Sequence, residues 1–275
     1  MSERIWVDGV AAGQLPATDR GLRYGDGLFE TMAVRNGRVI EFDRHLARLA
    51  RGCDALGISM PKLAHLNADL DGMNLPDLAV ARLTVTRGSG GRGYAPDSAS
   101  TVRRIWELND WPQTDPAIYR DGIRVVWLET QLPLQPTLAG LKHLGRIQQV
   151  MAARELQTVA ADDGLLCDAW GQVIEAVSAN VFARLGNILM TPKLDNCGVA
   201  GICRERVLDH AEALGLRTSI RVMRSPDFLG ASEVFLTSSI RGVVPVRKLG
   251  GISLVDFDAA YALQRHFKSL DEATP

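Results

Sequence analysis

The stretch Val173-Ile174-Glu175-Ala176-Val177-Ser178-Ala179-Asn180-Val181-Phe182 sets one acid, Glu175, among apolar neighbours at the junction of two short β-prone runs, Val173 to Val177 and Val181 to Leu185. Thirty-three residues upstream stands Lys142, in Leu141-Lys142-His143-Leu144-Gly145-Arg146. A lysine can hold an aldehyde cofactor as a Schiff base. An acid facing the cofactor's pyridine nitrogen keeps that nitrogen protonated, so the ring can accept electrons from a carbanion. The pair points to pyridoxal phosphate. For an isolated pair the plain alternative is a loop lysine and a solvated strand glutamate.

Scarcity favours the cofactor reading. Only five of the 31 Lys+Arg residues are lysines. Lys62 and Lys268 lie in amphipathic, helix-like stretches, Lys193 follows Thr191-Pro192 in a turn, and Lys248 closes a strand before Gly250-Gly251. Lys142 alone sits in a Gly- and Leu-rich connection just ahead of a helix, where partial burial would lower its pKa and make it nucleophilic.

Outward from this pair, the chain reads as two α+β domains. Ile5 to Val7 stops at Asp8-Gly9, and Leu28 to Val34 turns at Asn36-Gly37 into Arg38 to Ile40, a strong hairpin signal. Phe42 to Leu56 has helical spacing and ends at Gly57, and a second helix is expected at Leu63 to Leu70. Ala81 to Thr86 and Val102 to Leu108 read as strands around a glycine-rich loop. Asn109 to Pro116 is polar, carries two prolines and lacks periodicity, which predicts a linker. The expected division is therefore residues 1–108, a linker over 109–121, and residues 122–275 carrying Lys142. In the second part strands are expected at Ile123 to Thr130, Gly164 to Asp168, Val173 to Val177, Val181 to Leu185 and Ile188 to Thr191. Helices are expected at Arg146 to Thr158, Ile202 to Leu214 and about Asp256 to Leu270. Strands and helices mix without regular βαβ alternation, which argues against a doubly wound sheet.

Composition excludes several classes. The chain has 275 residues, 46% of them hydrophobic, enough for a sizeable core. A net charge of −1 offers no electrostatic case for nucleic acid or an acidic membrane surface. Charges interrupt the amino terminus where a signal peptide needs an apolar run, and no stretch reaches the roughly 18 apolar residues of a membrane span. A cytoplasmic location is the expectation. Cys53, Cys167, Cys197 and Cys203 form no C-x-x-C pair and make no metal spacing with the five histidines, so no metal is expected.

A phosphorylated cofactor needs backbone amides and a fixed positive charge. Gly198-Val199-Ala200-Gly201-Ile202-Cys203-Arg204-Glu205 opens a helix, so the amides of Ile202 and Cys203 lie at the positive end of its dipole. Leu236-Thr237-Ser238-Ser239-Ile240 ends a strand in three hydroxyls, and Arg48 lies on the helix bearing His45-Leu46-Ala47-Arg48-Leu49. Singly, these read as a turn-setting glycine, turn caps and a solvated arginine.

Together they resemble a known family. Glu175-x-x-Ser178-x-Asn180-Val181-Phe182, Leu189-Met190-Thr191 and Val199-x-Gly201-Ile202-x-Arg204 resemble the signature of the fold type IV pyridoxal-phosphate enzymes, with Val177 standing where a small residue is usual. The group contains branched-chain aminotransferases, D-amino acid aminotransferases and 4-amino-4-deoxychorismate lyases. Asp19 to Thr31 (DRGLRYGDGLFET) is shared across it. Arg87-Gly88-Ser89-Gly90-Gly91-Arg92-Gly93-Tyr94 and Ala139-Gly140-Leu141-Lys142-His143-Leu144 are most similar to the lyases.

The resemblance implies a two-domain α+β fold with the cofactor in the cleft between domains. It makes Lys142 the Schiff-base residue and Glu175 the partner of the pyridine nitrogen. Arg48, the Ile202 and Cys203 amides, Ser238 and Ser239 form the phosphate cup, and Asn180 joins the cofactor-binding set. Thr31 lies close to the ring as a candidate proton donor beside Lys142. Arg92, Tyr94, Arg87 and Phe29 are substrate residues, although Arg87 also reads as a solvated loop arginine. The implied reaction converts 4-amino-4-deoxychorismate to 4-aminobenzoate and pyruvate, in folate synthesis, within a homodimer. An aminotransferase on the same scaffold is the rival.

Overall fold

The computed structural model describes residues 4–11, 14–97 and 100–273. They divide into two compact units, the first comprising Met1–Pro112 with Leu141–Gly145 and the second Gln113–Gly140 with Arg146–Pro275.

The first unit contains β1 (Ile5–Val7), β2 (Val10–Ala11), α1 (Arg20–Tyr24), β3 (Gly27–Arg35), β4 (Arg38–Val39), α2 (Phe42–Leu56), α3 (Leu63–Asp71), β5 (Leu78–Thr86) and β6 (Arg103–Asp110). The strands form one antiparallel sheet in the order β2-β1-β6-β5-β3-β4. The β3–β4 hairpin turns where the sequence places it. Asn36 and Gly37 both have positive φ, 50° and 71°, as a two-residue primed turn requires. Helix α2 buries His45, Arg48, Leu49, Gly52 and Cys53, a stripe at helical spacing, and ends at Gly57 in the left-handed conformation. Leu28, Met32 and Val34 of β3 join Leu49 and Cys53 in one core cluster, so the even-numbered face of β3 lies under α2.

The second unit contains α4 (Ala117–Asp121), β7 (Ile123–Leu132), α5 (Ile147–Leu156), β8 (Asp163–Asp168), β9 (Val173–Ala176), β10 (Asn180–Leu185) and β11 (Ile188–Pro192), followed by α6 (Ile202–His210), β12 (Arg217–Arg221), α7 (Ser225–Leu229), β13 (Glu233–Ser238), β14 (Gly242–Leu249), β15 (Ile252–Ser253) and α8 (Asp258–Ala273). Its mixed sheet runs β12-β11-β10-β13-β14-β7-β8-β9, with β15 on β14. Phe182, Phe235, Val207, Ala260 and Leu263 pack together beneath α6 and α8.

The structure differs from the expected layout in three places. Asn109 and Asp110 are not linker: they complete β6, paired with Val80 and Ala79. Cross-strand hydrogen bonds to a neighbouring strand override their low β propensity. Ala117–Asp121 is helical, which shortens the connection further. Second, Lys142 belongs to the first unit, not the second. Strand β4 pairs only with Val34 and Arg35, so the front half of β3 has an open edge. Residues 142–144 fill it: the Phe29 amide donates to the Lys142 carbonyl at 3.0 Å and the Leu144 amide to the Gly27 carbonyl at 3.0 Å. Third, α6 stops at His210, and a 3₁₀ turn over Glu212–Leu214 carries the chain to Gly215 at φ 73°.

Candidate active site

Alternation along β3 sends Phe29 and Thr31 to the face opposite α2. The Lys142 ammonium lies on that face, 4.2 Å from the centroid of the Phe29 ring, and the guanidinium of Arg82 sits 4.3 Å from the same centroid. Two cations against one aromatic ring is a favourable electrostatic arrangement. Arg82 is the cross-strand partner of Thr31 and pairs with Glu107 at 3.5 Å. Lys142, Phe29, Thr31 and Arg82 thus form one cationic surface with a hydroxyl in it.

The α2 face of the same strand holds a buried charge cluster. Glu30, His45 and Arg48 are 1%, 1% and 5% exposed. Arg48 donates from Nε to Glu30 Oε1 at 2.9 Å and from Nη2 to Oε2, while His45 Nδ1 meets Oε2 at 2.5 Å. A lone buried carboxylate would be strongly disfavoured, but a bidentate arginine and an imidazole satisfy both oxygens. Burial pushes the Glu30 pKa up, and the hydrogen bonds and charges of Arg48 and His45 more than reverse that, so it lies below its usual value. Burial holds His45 below the usual histidine range against the pull of Glu30, with Arg48 and Lys142 adding to the depression.

The glycine-rich loop is organised by the DRGLRYGDG segment. Asp19, fully buried, caps α1 by accepting from the Gly21 amide and also accepts from Thr86 Oγ1, both at 2.8 Å. Arg20 donates to Asp26 and to carbonyls of the loop. Arg87 forks onto Asp26 at 2.8 and 3.0 Å and donates to the Leu56 and Gly57 carbonyls at 2.7 and 2.6 Å. Arg87 is therefore a tie across the end of α2, which accounts for its placement without a substrate. Burial raises the Asp26 pKa, but hydrogen bonds and charge from Arg87 and Arg20 leave it below the usual carboxylate range. Arg92 and Tyr94 are both exposed; Tyr94 packs its ring 5.4 Å from that of Tyr24.

In the second unit Glu175 lies on β9, 5% exposed. Its Oε2 accepts from the Val199 amide at 2.8 Å and its Oε1 from Gln149 at 3.4 Å. Asn180 donates from Nδ2 to the Val199 carbonyl at 2.9 Å. The two signature residues thus hold Val199 at both ends of its backbone. Gly140 and the turn exchange two more bonds, Gly140 amide to Gly198 carbonyl at 2.9 Å and Ala200 amide to Gly140 carbonyl at 3.0 Å. A side chain cannot be added at Gly201, where a Cβ would fall 2.1 Å from Asn180 Oδ1. Gly201 is the N-cap of α6 and brings no side-chain acceptor to the first-turn amides of Ile202 and Cys203. Arg204 is buried and bonded to Thr191 Oγ1 at 3.3 Å and the Pro192 carbonyl at 3.1 Å, a packing role that fixes the helix start.

Ser238 accepts from the Arg241 amide at 3.2 Å and so caps its own turn; Ser239 is half-buried in the same turn. Beside them Thr237, the cross-strand partner of Asn180, buries an Oγ1 that has no hydrogen-bond partner. An orphaned, buried hydroxyl on the strand that runs into Ser238 and Ser239 is a donor suited to an anionic group.

Sequence reasoning gave no role to Glu30, His45, Arg20 or Asp26, and counted Thr237 only as one of three hydroxyls. A signal existed for two of them: Glu30 alternates with Leu28, Met32 and Val34, and His45 lies three residues before Arg48 on the apolar side of α2.

Comparison with known proteins places this geometry. The sequence profile described as Amino-transferase class IV matches residues 27–249. The aminodeoxychorismate lyase of Vibrio harveyi is 31% identical over 243 residues, 88% of this chain and 90% of that protein. The crystal structure of 4-amino-4-deoxychorismate lyase from Pseudomonas aeruginosa superimposes with a TM-score of 0.92 at 40% identity, covering 96% of this chain and 98% of the other. The D-alanine aminotransferase of Bacillus licheniformis is 29% identical, over 85% of this chain and 82% of its own length.

Proposed function

From its membership of the amino-transferase class IV family, to which this chain belongs, we propose that the protein is a pyridoxal-phosphate-dependent lyase converting 4-amino-4-deoxychorismate to 4-aminobenzoate and pyruvate. Identities of 31% and 40% to two lyases over nearly the whole chain, against 29% to the D-alanine aminotransferase, support the reaction. The observation that carries the site is the Lys142 ammonium, held by backbone pairing to β3 on the face that also bears Thr31.

The residues present fit the cofactor. By resemblance, Arg48 of the first unit and the Ile202 and Cys203 amides, Ser238 and Ser239 of the second would hold its phosphate; the orphaned Thr237 hydroxyl directly precedes the two serines. Glu175 would keep the pyridine nitrogen protonated while its second oxygen stays on the Val199 amide. Asn180 keeps the Val199 turn in place. When bound, pyridoxal phosphate supplies an electron sink for the pair released when a C–H bond breaks next to the amine.

Lys142 would hold the cofactor's aldehyde, and its ε-amine, when free, would remove the proton from the amine-bearing ring carbon. Thr31 or Lys142 then protonates the ether oxygen as the enolpyruvyl group leaves the adjacent carbon, giving pyruvate, and the ring aromatises to 4-aminobenzoate. Arg92 and Tyr94 take a substrate carboxylate, for which the planar guanidinium fork is suited, and Phe29 lines the ring. Folate synthesis, a cytoplasmic location and a homodimer belong to the same reading; the exposed apolar side chains Ile147, Val150 and Met151 of α5 support association with a second copy.

The rival is an aminotransferase, which the 29% identity to a D-alanine aminotransferase keeps in view. Elimination needs no second substrate, whereas transamination strands the cofactor in its amine form after one turnover. With 4-amino-4-deoxychorismate and no keto acid, the expected result is many turnovers with pyruvate and 4-aminobenzoate in equal amounts. One turnover, with recovery on adding 2-oxoglutarate, would promote the rival.

A further inference from the structure

We propose that Arg20 is a positioning residue for substrate binding, acting through the backbone of the glycine-rich loop. The inference rests on the reading that Arg92 and Tyr94 of this loop bind a substrate carboxylate.

Glycines at 88, 90, 91 and 93, all at positive φ, give the loop a shape that L side chains resist and an ordering cost larger than for other residues. At Gly88 a Cβ would lie 2.0 Å from the Thr101 carbonyl, and at Gly91 2.2 Å from that of Ala95. Arg92 and Tyr94 are exposed, so packing of their own side chains does little to hold the loop in one shape.

Arg20 supplies what the loop lacks. It is 4% exposed, and its guanidinium is anchored by Nε to Asp26 Oδ2 at 2.8 Å. From that anchor Nη2 donates to the Tyr94 carbonyl at 2.8 Å, and Nη1 faces the carbonyls of Gly93 at 3.2 Å and of Gly90 and Ala95 at 3.5 Å. Its own amide donates to the Gly88 carbonyl at 2.9 Å. One buried side chain thus grips the backbone on both sides of Arg92 and beneath Tyr94. The guanidinium also lies 5.0 Å from the centroid of the Tyr24 ring on which Tyr94 packs. Lysine could keep the charge but not the fork, because a single ammonium cannot reach Asp26 and several carbonyls at once.

Without the grip the loop samples other shapes, and apparent affinity falls by the fraction of time it is competent. The rate from the bound complex is untouched, since Arg20 donates to carbonyls and not to reacting atoms.

The test measures steady-state elimination from 4-amino-4-deoxychorismate by the cofactor-loaded wild type, Arg20→Lys, Arg92→Ala and the double variant. Arg20→Lys is expected to raise KM about tenfold with kcat within about twofold, and the double variant to raise KM by less than the product of the single effects, because a misplaced loop has only the Tyr94 contact left to lose once its arginine is gone. Equal loss in kcat, an unchanged KM, or additive effects in the double variant would overturn the role of Arg20. If Arg92→Ala itself leaves KM unchanged, the underlying reading of the loop fails instead, and the inference falls with it. Thermal melting accompanies each variant. Should Arg20→Lys fail to fold, Asp26→Asn, which loosens the anchor while preserving its shape, is expected to give the same rise in KM, and its absence would refute the proposal.

Discussion

Replacing Glu30 by leucine tests the buried cluster that holds Arg48. Leucine nearly matches the volume but removes the acceptor for two arginine nitrogens and one imidazole nitrogen, all in a region about 1–5% exposed. Breaking a buried ion pair by deleting one partner costs about 3–5 kcal/mol, because the remaining charge is left without compensation. An independent route agrees. Three hydrogen bonds to a charged group contribute roughly 5–9 kcal/mol gross, and burying leucine returns about 1.5–3 kcal/mol. At about 2–4 °C per kcal/mol, the expected fall in Tm is roughly 6–20 °C. The assay is far-ultraviolet circular dichroism at pH 7 on cofactor-free protein, so that ligand binding does not contribute. Adding Arg48→Met should recover much of the loss, since an apolar pair then replaces a stranded charge. A Tm change under about 2 °C, or a double variant as unstable as the sum of the singles, would refute the reasoning.

The same cluster fixes a direction for pH. Glu30 has a folded-state pKa below its ordinary 4.5, so its contribution is fully present above 4.5 and is lost as pH falls through the lower folded value. His45 is held below its ordinary 6.5, so the folded state binds fewer protons there and stability also declines as pH drops below 6.5. Both groups act in one direction, so the wild type should lose stability as pH falls below 6.5 and lose more as it falls below 4.5, read as a declining Tm across a pH series.

Three further outcomes follow from the site. Lys142→Ala should abolish turnover and the yellow absorbance of bound cofactor yet melt within a few degrees of wild type, because residues 142–144 are held to β3 through backbone atoms; retained activity refutes the assignment. Glu175→Gln should keep bound cofactor, as an amide oxygen can still accept from Val199, and lose about 10²-fold or more in kcat; a near wild-type rate would mean the acid faces elsewhere. Gly201→Ala should cost about 1–3 kcal/mol and weaken pyridoxal phosphate binding in equilibrium dialysis, since its Cβ displaces the Asn180 oxygen, and unchanged affinity would remove this turn from the phosphate site.

What the sequence determined by itself was local. The Asn36-Gly37 hairpin, helix α2 with its Gly57 stop, and strands β7 to β11 were legible because turn geometry, capping and side-chain periodicity act over a few residues. The motifs around Lys142, Glu175 and Gly201 were legible as a resemblance, although not the reason for each residue in them. Tertiary structure decided the rest. It assigned residues 141–145 to the first unit, because only the folded sheet reveals that β3 has an open edge for them. It showed that Arg87, which the sequence leaves as either a substrate or a solvated loop residue, ties Asp26 to the end of α2. It found partners for Glu30, Arg20 and Glu175 that lie 15 to 74 residues away in the chain. A charged side chain reads the same in sequence whether it is solvated or buried. What it does depends on which groups the fold brings within about 3 Å, and burial makes that pairing obligatory.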